Sequence, residues 1–224
     1  MVIKNNIKAI KEELSAFSYK LVAVSKTQPI ERLQEAYDAG QRIFGENKAQ
    51  ELALKYKALP KDIEWHMIGH LQTNKVKYIA PFVALIHSID SIKLLEEVDK
   101  QGKKVNRKIS CLLQVHIAKE ETKFGFDLKE VKELMNSQEL NNFSHVEIKG
   151  LMGMATFTEN QEQIRNEFSL INQLFQKLKT QKLPTNVEMK ELSIGMSADY
   201  KIAIEEGSTI VRVGTAIFGA RNYN

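Results

Sequence analysis

The feature that most limits what this chain can fold into is an alternation: a short, nearly continuous apolar run, then an amphipathic stretch with helical spacing, eight times over. The runs are Lys20–Lys26, Arg42–Glu46, Glu64–Gly69, Val83–His87, Ile109–Ile117, Ile148–Met154, Glu191–Ile194 and Thr209–Gly214. Runs that are apolar at successive positions, not at alternate ones, belong to strands buried on both faces, as in parallel sheets. Helical stretches read at Pro29–Asp38, Lys48–Leu59, Thr73–Ile79, Ser91–Gly102, Leu128–Ser137, Gln161–Gln181 and Ala198–Glu205, and one more, Ile3–Phe17, precedes the first run. Pro29 suits a first helical turn and Gly40 a stop. Eight β/α units in succession predict an α/β fold, a closed (β/α)8 TIM barrel with an extra N-terminal helix. An open doubly wound sheet is the alternative, but no Gly-rich dinucleotide turn follows the first strand. At 224 residues the barrel is lean against a typical size of roughly 250, so residues 1–224 read as one domain without a second.

Composition excludes several classes. Hydrophobic residues make up 43% of the chain, enough for one sizeable core, and charged residues make up 27%. The net charge of +4 comes from lysines spread along helices beside glutamates, with no basic stripe interleaved with aromatics, so no nucleic-acid partner is expected. The one cysteine, Cys111, sits inside an apolar run and reads as a buried core residue in a reducing compartment. The start of the chain lacks the apolar stretch of a signal peptide, and no run reaches transmembrane length. The expected location is the cytoplasm, with no membrane partner.

In such barrels the active face lies at the C-terminal ends of the strands. Those ends carry Lys26, Glu46-Asn47, Gly69-His70, His87-Ser88, His116, Met154, Ser193-Ile-Gly-Met-Ser197 and Gly214-Thr215, mostly polar or glycine. Lys26 closes an apolar run, where desolvation disfavours its charged form and a neutral amine can attack an aldehyde. A lysine there can also simply snorkel to water. Phosphate in these barrels docks at the loops after strands seven and eight. Here those loops offer the glycines and hydroxyls of Ser193–Ser197 and of Gly214-Thr215. Ser197 alone could be an ordinary helix cap, but the two loops together favour phosphate. Arg212 lies inside the apolar strand Ile-Val-Arg-Val, either in a buried ion pair or facing the ligand. Barrel closure makes strands eight and one neighbours, so Arg212 and Lys26 can face one ligand. An arginine against a pyridine nitrogen keeps that nitrogen unprotonated and weakens the ring as an electron sink. His66 and His70 have metal-pair spacing only on a helix, and they sit on a strand and its exit, so no metal is expected.

These residues carry a resemblance. The chain resembles the pyridoxal phosphate homeostasis proteins, also called the proline-synthetase co-transcribed family. The matching segments are Ala23–Thr27, Phe44–Asn47, His66–Lys75, Thr122–Gly125, Gly150–Met152, Leu192–Ser197 and Val211–Gly219. They span nearly the whole chain in order. The resemblance implies a fold similar to the N-terminal barrel of alanine racemase (fold type III), without that enzyme's second domain. It implies Lys26 as the Schiff-base lysine for pyridoxal 5′-phosphate, Arg212 at the pyridine nitrogen and Asn47 near the ring. It places Ser193, Met196, Ser197, Gly214 and Thr215 around the phosphate. Members are regarded as cofactor carriers with no established catalytic reaction. One departure is His116, where the family usually has asparagine.

The function expected is storage, buffering or delivery of pyridoxal phosphate, with apo-enzymes as recipients and no catalysis. A weakly active racemase or decarboxylase is the alternative. Racemisation needs an acid/base on each face of the reacting group, and this chain has no spare length to supply the second. A cofactor-free Schiff-base aldolase is a third reading, against which stand the arginine and two phosphate loops. The small size leans towards a monomer.

Overall fold

The structure, a computed structural model, describes residues 2–118 and 124–220. Thr122 and Lys123 of the Thr122–Gly125 segment lie outside the described residues. Eight parallel strands close into a barrel in chain order: β1 (Lys20–Val24), β2 (Ile43–Glu46), β3 (Glu64–Met67), β4 (Leu85–Ile89), β5 (Ile109–His116), β6 (Val146–Met154), β7 (Val187–Ser193) and β8 (Ile210–Val213). Closure is made by β1 on β8, with Val22 beside Arg212. Around the strands run α1 (Val2–Glu13), α2 (Ile30–Asp38), α3 (Ala49–Ala58), α4 (Ile92–Lys104), α5 (Leu128–Asn136), α6 (Gln161–Lys179), α7 (Tyr200–Glu205) and α8 (Thr215–Phe218).

Two apolar populations hold this together. The large one lies between barrel and helices, where each helix turns one stripe inward. In α6 the stripe is Ile164, Phe168, Ile171, Leu174, Phe175 and Leu178. The small one, Val22, Leu85, Leu112, Met152 and Ile210, fills the barrel's interior. Because side chains alternate along a strand, the residues two further on from Leu85 and Ile210 also point inward: His87 and Arg212. The interior is therefore apolar in its middle and polar towards the C-terminal ends. Gly45 faces inward too, and a Cβ there would stand 2.8 Å from Val22 Cγ1, so the narrow bore leaves no room for a side chain.

Several boundaries differ from the sequence reading, and each has a local reason. β1 ends at Val24, so Lys26 sits in the turn after the strand. The Thr73–Tyr78 segment is a 3₁₀ helix, short between Gln72 and the Ile79–Pro81 break. β7 begins four residues early, at Val187: Val187-Glu-Met-Lys alternates buried and exposed, the pattern of a strand with one face in solvent and not of the continuous apolar runs that mark the others. α1 stops at Glu13, short of Phe17, and α8 is an additional short helix. α1 packs on α2 and α8, and Asn6 Nδ2 donates to Ile217 O at 2.9 Å, so the extra helix buttresses the chain leaving β8. No helix among the described residues is long and apolar enough to cross a membrane.

Candidate functional site

A cleft of about 370 Å³ opens at the C-terminal end of the barrel. Of the residues singled out from the sequence, Lys26, Asn47, Met154, Met196, Ser197, Arg212, Gly214 and Thr215 line it together. Lys26 is half-buried in a turn in which Gln28 N–H donates to Ser25 O at 3.0 Å. Arg212 reaches the cleft from β8, the neighbouring strand. Asn47 enters from the end of β2, and its backbone packs so closely on Gly69 that a Cβ there would lie 2.6 Å from Asn47 O.

The loops after β7 and β8 form one unit. Ser197 Oγ accepts from Gly214 N–H at 3.0 Å, which leaves the serine proton to donate outward. The β7 loop turns through Gly195, whose φ of +91° and whose absent Cβ, which would meet Ala203 Cβ at 2.4 Å, both demand glycine. The Met196 amide donates to Asp199 Oδ1 at 2.5 Å. Burial pushes the Asp199 carboxyl above the usual carboxylate range, while that amide and the nearby Arg212 charge pull it back. Ser197 does not cap α7, since Asp199 occupies the cap position.

Arg212 is held by neutral groups. It is 4% exposed; Nη1 donates to Ser193 O at 2.7 Å and to Ser193 Oγ at 2.6 Å, and Nη2 donates to Gly153 O at 3.0 Å. Burial lowers the guanidinium to about 10, with Asp199 opposing the shift, so it is a cation at neutral pH. Behind it the polar chain continues: Ser193 Oγ meets His87 Nδ1 at 2.9 Å, and His87 Nε2 meets His66 Nδ1 at 2.9 Å. A guanidinium has no acceptor, so donation can run outward from Arg212 to the serine, from the serine to His87 and from His87 to His66. Burial drives both imidazoles to the neutral form. His66 falls to about 3, with Lys20 adding to the effect, and His87 falls well below its ordinary range, helped by the charges around it.

This arrangement moves two expectations. Ser193, expected at a phosphate, is fully buried behind Arg212 with its hydroxyl committed there. His87, expected at the rim, lies inside β4 and the barrel, because that strand runs on to Ile89. His66 and His70 do not face one another: His66 is inside the barrel, and His70 is exposed with Nδ1 2.9 Å from Asp90. Among the described residues no group of three or more His, Cys, Asp or Glu could hold a metal ion. His116 ends β5 and is half-buried. Cys111 is fully buried, and burial pushes its thiol far above its usual range.

Sequence reasoning missed Ile68, Asp199, Ile164 and the segment Ala155–Thr158, all of which line the cleft. It also missed a buried group behind Lys26. Lys55 Nζ, on α3, donates to Ser25 O at 2.7 Å, Glu46 Oε1 at 2.8 Å and Glu51 Oε1 at 2.7 Å. Burial raises the Glu46 carboxyl to about 7, against the pull of Lys55 and Ser25. The Glu51/Lys55 spacing was the available signal, but it is that of any exposed helix pair.

A parallel barrel with an amine, a guanidinium and two glycine-bearing loops at one end defines a class, the barrel shared with alanine racemases. The profile of the alanine racemase N-terminal domain family matches residues 2–222. An alanine racemase from Streptomyces lavendulae superposes with a TM-score of 0.80 at 15% identity, covering 98% of this chain and 57% of that one, a likeness of fold alone. Within that class the chain belongs to the pyridoxal phosphate homeostasis protein family. The Aquifex aeolicus protein of that name is 44% identical over 206 residues, 91% of this chain and 88% of the relative. The structure of PipY from Synechococcus elongatus with pyridoxal phosphate bound is 34% identical, with a TM-score of 0.86, and covers 97% of this chain and all of that one.

Proposed function

We propose that this protein binds pyridoxal 5′-phosphate as a Schiff base on Lys26 and serves to store, buffer or deliver it within the cytoplasm. The observation that carries the reading is that Lys26, in the turn after β1, and Arg212, on the adjacent β8, line one cleft with the two loops suited to a phosphate. The cleft's size is that of small-ligand sites, which begin at about 300 Å³. Its donors also fit: the hydroxyls of Ser197 and Thr215 and a backbone brought close at Gly214, where a Cβ would meet Val24 O at 3.3 Å. The cofactor in the relatives' names supports the same ligand.

In this reading Met196, Ser197, Gly214 and Thr215 hold the phosphate, Arg212 faces the pyridine nitrogen and Asn47 borders the ring. Ser193 acts one step back, fixing the guanidinium. The bound cofactor can act as an electron sink, and its strength depends on a proton at the pyridine nitrogen. Arg212 is a donor with no proton to surrender at neutral pH, so it orients that nitrogen without protonating it. That contact weakens the ring as an electron sink, and it is the relatives' name as homeostasis proteins that favours a carrier over a racemase or decarboxylase. A monomer, one domain over residues 1–224 and apo-enzymes as recipients complete the proposal.

Two measurements test it. Purified protein with added pyridoxal phosphate is expected to turn yellow, whereas Lys26→Ala stays colourless. Loaded protein is expected to restore an apo-enzyme, and a free-cofactor trap then separates direct handover from buffering. Rapid cofactor-dependent racemisation of alanine would instead establish an enzyme.

A further inference from the structure

The turn that presents Lys26 is held from behind at both flanking residues. On one side, Ser25 O accepts from Lys55 Nζ at 2.7 Å, and Ser25 Oγ donates to Glu46 Oε1 at 2.6 Å. On the other, the Thr27 amide donates to Glu51 Oε1 at 2.8 Å. Thr27 has a φ of +64°, a left-handed conformation that a β-branched residue adopts only when its surroundings require it. The same Glu51 oxygen accepts from Lys55, and Lys55 joins Glu51 to Glu46. The three side chains come from the end of β2 and from α3, not from β1 or the turn that carries the lysine. Lys55 and Glu46 are almost wholly buried, with side chains 6% and 0% exposed. None of the three lines the cleft. Buried ion networks rarely add net stability over a well-packed apolar core, and their best-attested use is to specify one conformation.

We propose that Glu46, Glu51 and Lys55 are positioning residues for Lys26, a charge clamp that fixes the turn so that its amine reaches an aldehyde in the cleft. The inference deepens the reading of Lys26 as the covalent lysine and rests on it. In the step concerned, the Lys26 nitrogen bonds to the aldehyde carbon. Its two protons leave with the aldehyde oxygen as water, and a C=N bond remains. The clamp touches none of these atoms; it sets the direction from which the nitrogen approaches. Its loss therefore falls on covalent capture and spares recognition of the ring and phosphate.

Two probes separate these effects: pyridoxal 5′-phosphate, and 4′-deoxypyridoxine 5′-phosphate, which has the same ring and phosphate but a methyl group in place of the aldehyde. Glu51 is the residue to change, because its side chain is 24% exposed and its loss leaves the buried Lys55–Glu46 pair intact. Glu51→Ala is expected to slow the gain of yellow absorbance with pyridoxal phosphate roughly ten- to a hundredfold, while affinity for the deoxy compound stays within about twofold. Glu51→Gln, which keeps an oxygen for the Thr27 amide, is expected to recover most of the rate. Capture at the wild-type rate in Glu51→Ala would overturn the proposal, and so would a parallel loss of both probes, which is the mark of a merely structural role. Failure of the underlying reading looks different: wild-type protein itself would take no borohydride-stable label.

Discussion

The two basic side chains of the cleft, Arg212 and Lys26, are held by opposite kinds of surroundings. Arg212 is fixed by neutral groups, two carbonyls and a serine backed by two histidines kept uncharged by burial. The turn bearing Lys26 is fixed by a buried lysine shared between two carboxylates. The difference matches the roles proposed for the two side chains. A guanidinium that stays charged needs only acceptors, and a counter-ion beside it would neutralise its pull on a ligand. The turn that presents the proposed covalent amine is held through the backbone of its flanking residues, Ser25 and Thr27.

Removing a cation on each side should expose that contrast. Lys55→Met leaves Glu46 and Glu51 without their shared partner, one of them fully buried, and is expected to cost about 3–5 kcal/mol. Arg212→Met leaves carbonyls and a hydroxyl short of donors and removes the positive charge near Asp199, but breaks no direct ion pair, and is expected to cost less, about 2 kcal/mol. Urea denaturation at neutral pH compares them; the reverse order would break the distinction.

The two sides should also answer pH with opposite sign. Burial holds His66 at about 3 and His87 well below the ordinary imidazole value of 6.5, so the stability they contribute is present above 6.5 and is lost as pH falls through their folded values. Glu46 has a folded value near 7, above its ordinary 4.5, so its contribution is present below 4.5 and is lost as pH rises through 7. Between pH 7.5 and 5, His66 and Glu46 are each expected to shift stability by about 2 kcal/mol, His66 downward and Glu46 upward on acidification, with His87 acting in the same direction as His66. Unfolding profiles of His87→Asn and Glu46→Gln should therefore depart from the wild type in opposite directions, and departures of the same sign would contradict the assignment. The smallest effect is expected at the phosphate end. Thr215→Val removes one neutral donor of several, and titration should find pyridoxal phosphate bound roughly fivefold more weakly, about 1 kcal/mol.

The barrel was legible because doubly buried parallel strands write themselves as apolar runs, and eight such runs leave little choice of topology. The cleft was legible for a related reason: Lys26, Asn47, Met196, Ser197, Gly214 and Thr215 are breaks in those runs at strand ends. What depended on three-dimensional placement was not. His87 looked like a rim residue because the start of β4 was read two residues early. Ser193 looked like a phosphate ligand because it opens a glycine-bearing loop at a strand end, and nothing in Glu191-Leu-Ser-Ile says that its hydroxyl is taken up by Arg212. The Lys55 clamp was illegible because nothing in Glu51-Leu-Ala-Leu-Lys55 says that this helix face turns back onto the Ser25–Gln28 turn.

One measurement bears most directly on the whole account. Protein loaded with pyridoxal 5′-phosphate is reduced with borohydride, digested, and its peptides weighed. The account predicts that the reduced cofactor is attached at Lys26 and that none is recovered on any peptide of Lys26→Ala. Cofactor fixed on another lysine, or none fixed at all by a protein that still binds it, would contradict it.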